Sequence, residues 1–271
     1  MRRLLLMLLV LVPGSLALPL QTRRAGVPEP VLPATDALPS PSRFAELMRT
    51  NPVAALQACV LRYKREVHGF RSVLHKRERI AGKLGPEEEI DVSFRDEPYS
   101  VLLSWRTPGA GLADRALYVD GQNDNQLLAR PRNALLRRLS PVAKQDPDGA
   151  QARASGRYSI RDFGLLKATE RSLAAWESAQ RHGRLRYEYA GERAVPEAGG
   201  VVCHVLRRTI EPPEDGVTRT EVSFDVVRWL QVANVLYGSD GPLVAHYFFR
   251  DVILNPTFPS DQFDPSALTR D

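Results

Sequence analysis

The sequence predicts an α+β protein dominated by antiparallel β-structure. Three observations carry this. Apolar and polar residues alternate with a period of two along short segments, Gly-, Pro- and Asn-rich turns separate those segments, and two stretches show helical spacing instead. Strand-like segments over 184–192, 200–210, 218–226, 229–237 and 243–253 follow one another with short connections, which is a meander and argues against a doubly wound α/β fold.

At the N-terminus, Met1, Arg2 and Arg3 precede an apolar run over 4–12, a break at Pro13-Gly14 and the small-x-small Ser15-Leu16-Ala17. That order is the order of a cleavable secretory signal, residues 1–17, and the run falls short of the roughly 20 residues a spanning helix needs. The mature chain is expected to be soluble and extracytoplasmic, periplasmic or secreted. The first cysteine is Cys59, far from the cleavage point, which argues against lipidation. Residues 18–41 carry Pro19, Pro28, Pro30, Pro33, Pro39 and Pro41 without an aromatic residue and read as a disordered tether. Residues 42–271 read as a single ordered domain.

That domain opens with a helix capped by Ser40 or Ser42, with Phe44, Leu47, Ala54, Ala55, Cys59, Val60 and Tyr63 on its apolar face and a break at Asn51-Pro52. A strand is expected over 70–80. Ile90, Val92 and Phe94 alternate with Asp91, Ser93 and Arg95, and Tyr99, Val101, Leu103 and Trp105 repeat the period after an Asp96-Glu97-Pro98 turn, so the two segments pair as a hairpin. Strands over 116–119 and 126–129 flank an Asp/Asn cluster. It lacks the Gly and Glu of a calcium loop, with Asn125 and Pro131 in those places, and reads as a hairpin turn. Ile160, Phe163, Leu166, Leu173 and Trp176 fall at helical spacing and end at His182-Gly183.

Composition bounds function. Hydrophobic residues at 43% suffice for a core, and a net charge of +5 on an exported chain points to anionic lipid or cell-wall polymer rather than nucleic acid, for which no binding motif is present. The histidines His68, His75, His182, His204 and His246 show no metal-ligand spacing, no Gly-x-Ser-x-Gly elbow occurs, and no cofactor motif is present. The acidic clusters Glu87-Glu88-Glu89 and Glu211 with Glu214-Asp215 flank turns and read as solvated charge. Cys59 and Cys203 either pair as a disulfide or remain buried thiols; spacing does not decide.

The runs Arg77-Glu78-Arg79-Ile80, Phe94 to Val101 with Trp105, Arg115 to Gly121, Arg157-Tyr158-Ser159-Ile160, Ser223-Phe224-Asp225, Trp229-Leu230-Gln231-Val232 and Asp261 to Pro265 resemble an uncharacterised family of exported bacterial proteins with a domain of unknown function. That family is similar to outer-membrane lipoprotein-sorting proteins of the LolA/LolB type. The resemblance implies a curved, unclosed half-barrel sheet with helices covering its concave face, and, by analogy, an acyl-chain or lipoprotein ligand held without catalysis.

On this reading Val101, Leu103, Trp105, Tyr118, Val222, Phe224 and Tyr247 form an apolar face that is either core or the lining of a ligand cavity. Arg130, Arg132, Arg137 and Arg138, beside Leu135, Leu136 and Leu139, make a basic segment that either rests on anionic headgroups or is a solvated loop. The competing function is an envelope protein-interaction module with a filled core.

Overall fold

The structure, a computed structural model, describes residues 37–109 and 111–270. The expected signal peptide and residues 18–36 of the expected tether lie outside the described residues. Helix α1 (Pro41–Thr50) starts on Ser40, whose hydroxyl accepts from the Arg43 N–H, and α2 (Pro52–Glu66) restarts on Asn51, whose side chain accepts from the Ala54 N–H. Pro52 has no N–H to donate and stands in the first turn of α2, where none is needed, so the expected break is a cap between two helices.

The next chain segment supplies β1 (Gly69–Ile80), β2 (Lys83–Leu84), β3 (Glu88–Arg95), β4 (Ser100–Trp105), β5 (Ala113–Val119), β6 (Leu127–Pro131) and β7 (Ala143–Gln145). Short helices α3 (Ala134–Leu139) and α4 (Ala150–Arg153) flank β7, and the long α5 (Leu165–Arg181) leads to β8 (Arg186–Val195), β9 (Val201–Glu214), β10 (Val217–Asp225), β11 (Gln231–Tyr237) and β12 (Leu243–Leu254). Ile160 and Phe163, expected on the second helix, instead lie in a 3-10 turn and its exit. Gly164 has φ of +105°, and a side chain there would press on the Phe94 ring, so α5 begins only at Leu165.

Among the described residues the twelve strands form one antiparallel sheet, in the order β7-β6-β5-β4-β3-β1-β12-β11-β10-β9-β8, with β2 folded back on the end of β1. Two meanders meet at a seam between β1 and β12, where Phe70 faces Leu254 and Glu78 faces Ala245. The outer strands β7 and β8 do not pair, so the sheet stays open.

Alternation sends Val101, Leu103, Ala116 and Tyr118 to the inner face, while Leu117, Val119 and Leu128 face outward beneath Phe263 and Leu268 of the C-terminal segment. The inner face is covered unequally. Over β9 and β10, the helices pack Phe44, Met48, Cys59 and Trp176 against Leu206, Val222 and Phe224, and Phe44 stacks on Trp229 at 4.0 Å. Over β1 and β3–β6, Tyr63 of α2, Val67 just after it and Leu165 of α5 enter the buried cluster, and a space is left beyond them.

Candidate ligand cavity

That space is a cavity of about 430 Å³, within the range of about 300–1,000 Å³ usual for small-molecule sites. Its wall is the inner face of the strands: Leu74 of β1, Ile90 of β3, Leu103 and Trp105 of β4, Ala116 of β5, Leu127 and Ala129 of β6, Ala143 of β7, Asn234 of β11 and Phe249 of β12. Laid flat at about 4.8 Å per strand, β7 and β11 would stand roughly 34 Å apart. A cavity this small touches both because the sheet curls around it. Ile160, Phe163 and Ala168 roof the space, and Leu112, Leu136 and Leu139 stand at its edge.

One rung of the wall is polar. Cross-strand register places Asn234 beside Tyr247, Tyr247 beside Lys76 and Lys76 beside Glu88. Glu78, one pleat further along β1, accepts from the Tyr247 hydroxyl at 2.5 Å, from the Lys76 ammonium at 2.9 Å and from the Arg157 backbone N–H at 3.3 Å. Glu88 accepts from the Trp105 indole at 2.6 Å, with Lys76 Nζ 3.8 Å away. Burial alone would lift the Glu78 carboxyl, but Lys76, Tyr247 and the Arg157 N–H hold it below its usual range. Burial and the Glu78 charge push the Tyr247 phenol far above its own. A carboxylate held ionised and a phenol held protonated both sit away from the near-neutral pKa that general acid–base work requires.

A bulge in β11, opposite Ser223 and Phe224, breaks the alternation and brings Gln231 to the cavity wall. Gln231 is 2% exposed, and neither its amide N–H nor its carbonyl finds a partner in the protein; Asn234 Oδ1 is also without one. Among the described residues, no three His, Cys, Asp or Glu side chains gather as a metal-ligand set.

Of the residues singled out in the sequence, Leu103, Trp105 and Tyr247 line this cavity. Val101 and Tyr118 are buried in the adjoining core cluster rather than exposed to the space. Val222 and Phe224 lie apart from it, in the cluster that α1, α2 and α5 fill. Cys59 and Cys203 are both buried free thiols, in two different clusters. Lys76, Glu78, Gln231 and Asn234 were not among the candidate site residues, although Glu78 and Gln231 fall in the family-like runs.

In the basic segment, three of the four arginines bond to the protein. Arg130 makes a two-pronged bond to Asp114 at 2.7 and 3.1 Å, and Arg137 reaches the same carboxylate at 2.9 Å. Arg132 donates to the carbonyls of Gly109 and Ala113. Arg138 is exposed. Arg130 thus ties β6 to β5 and Arg137 ties α3 to β5, and the leucines of α3 are turned to solvent.

A protein family described as of unknown function, DUF1571, matches residues 67–268. The chain belongs to DUF1571. The matched stretch contains every strand and the whole cavity wall, whereas α1 and α2 precede it. Among solved structures, the chain is similar to a DUF1329 protein from Desulfovibrio piger, 15% identical, covering 80% of this chain and 99% of that one with a TM-score of 0.40. It is also similar to a putative outer membrane lipoprotein-sorting protein domain from Vibrio parahaemolyticus, 10% identical, covering 79% and 98% with a TM-score of 0.38. The MucA/MucB complex of Pseudomonas aeruginosa is similar at 16% identity, with 80% of this chain and 62% of that one covered and a TM-score of 0.45. A comparison with curated proteins found no match. No helix among the described residues is long and apolar enough to cross a membrane.

Proposed function

We propose that this is a noncatalytic binding protein, periplasmic or secreted, that holds an acyl chain or a similar apolar ligand, free or carried by a lipoprotein, in the cavity. The observation that carries the reading is the largely apolar wall under β1 and β3–β7, which encloses about 430 Å³ rather than a filled core. That open interior favours ligand binding over the alternative of an interaction module with a filled core. Glu78 and Tyr247 on the wall support a noncatalytic role, because they bond to each other with the carboxyl held low and the phenol held high.

The test is displacement of a fluorescent fatty-acid probe from the purified protein, with solvent extraction and mass spectrometry of whatever co-purifies. Saturable binding is expected. Ala129→Trp places an indole in the cavity. Loss of room for two methylenes, at about 0.8 kcal/mol each, lowers affinity about tenfold. No saturable binding by the wild-type protein, or equal affinity in a folded Ala129→Trp variant, overturns the reading.

A further inference from the structure

Four leucines at the cavity mouth have their side chains in solvent: Leu112 is 72% exposed, Leu135 65%, Leu136 47% and Leu139 78%. The Leu112 carbonyl accepts from the Arg132 N–H at 2.8 Å, two residues before α3 begins, which brings Leu112 next to the leucines of that helix. Leu112, Leu136 and Leu139 also line the cavity, so the exposed patch and the cavity wall are one continuous surface. Isolated exposed leucines are ordinary, but a group of four around an opening marks a surface that is covered in use.

Charge selects what covers it. Residues 130–144 carry Arg130, Arg132, Arg137, Arg138 and Lys144 and no acid. Asp114 answers Arg130 and Arg137, and Asp124 answers Lys144, so the rim keeps a net positive charge. Projecting leucines beside unneutralised arginine on a short helix match the cross-section of an anionic bilayer surface, with apolar side chains in the interface and guanidinium groups at headgroup level.

We propose that this rim docks the cavity mouth onto an anionic lipid bilayer, so that the ligand passes between bilayer and cavity without crossing water. The inference rests on the acyl-chain reading of the cavity.

The experiment is co-sedimentation of the purified protein with phosphatidylcholine vesicles and with vesicles also containing phosphatidylglycerol. The wild-type protein should favour the anionic vesicles about tenfold. Leu135→Glu with Leu139→Glu should lower that partitioning about tenfold or more, and Arg138→Glu about fivefold on anionic vesicles alone. Both leucines are mostly solvent-exposed, and melting curves confirm that the variants fold. Fatty-acid probe binding in vesicle-free buffer separates the two claims. Leucine variants that stop docking yet bind the probe like wild type place docking at the rim. Wild-type protein that docks without binding probe keeps the rim and removes the acyl-chain reading. Wild-type protein that ignores both vesicle types, or leucine variants that dock as well as wild type, overturns the proposal and leaves the leucines to a protein partner.

Discussion

Lys76 stands between two buried carboxylates, Glu78 and Glu88, with its own side chain 11% exposed. Lys76→Met removes the shared counter-charge and is expected to lower stability by about 3 kcal/mol, the scale of a broken buried pair. The sign with pH follows from Glu78. Its carboxyl is held low in the folded protein, so its contribution is present above the unfolded carboxylate range and is lost as pH falls through the depressed folded value. Without Lys76 the carboxyl is pushed up instead, and the deficit is greatest at neutral and alkaline pH. Urea unfolding at pH 5 and pH 8 checks this; an equal deficit at both values would contradict it. These residues were hard to read in the sequence because a charged side chain in a strand defaults to solvent. The available signal was parity: Lys76 and Glu78 share the face of Phe70 and Leu74. Leu103, Trp105 and Tyr247 were legible because apolar alternation marks the inner face directly, whereas the bulge that re-aims Gln231 has no local sequence signature.

At the scale of elements, α1 and the cavity divide the inner face between them. Phe44 is fully buried, stacks on Trp229 and meets the His204 ring edge-on at 5.6 Å. Phe44→Ala is expected to cost about 3–4 kcal/mol in chemical unfolding. Probe affinity should stay at the wild-type value, because Phe44 belongs to the helix-filled half; a parallel loss of affinity would show the two halves to be coupled. Ten of the twelve strands, their turns and the Asn51-Pro52 break could be read from period and cap residues, whereas the short β2 and β7 could not. The fate of Val222 and Phe224 could not, since their period-two pattern marks the inner face but not which part of that face the helices fill. Ile160 and Phe163 kept helical spacing without forming helix, as Gly164 sets a left-handed backbone between them and α5. Arg130 of β6 and Arg137 of α3 share a carboxylate, Asp114 of β5, that lies outside their own basic run, sixteen residues from Arg130, so local sequence does not reveal the pairing.

For the whole molecule, the deciding contact is the β1–β12 seam. Local patterning reveals two meanders but says nothing about which strands join them, because the partners are distant: Tyr247 meets Glu78 across 169 positions. Such non-local pairing slows folding relative to local contacts. A chain ending after Tyr237 lacks β12 and leaves β1 and β11 each with an unpaired edge. It is expected to aggregate, seen as loss of the monomer peak in size-exclusion chromatography; a stable monomer would show that the seam is dispensable. The same seam fixes an order of events in time. Synthesis and any threading through a translocation pore deliver β1 early and β12 late, so one wall of the cavity does not exist until nearly the whole chain has emerged. On the ligand-binding reading proposed above, the complete cavity becomes available only after β12 has paired with β1.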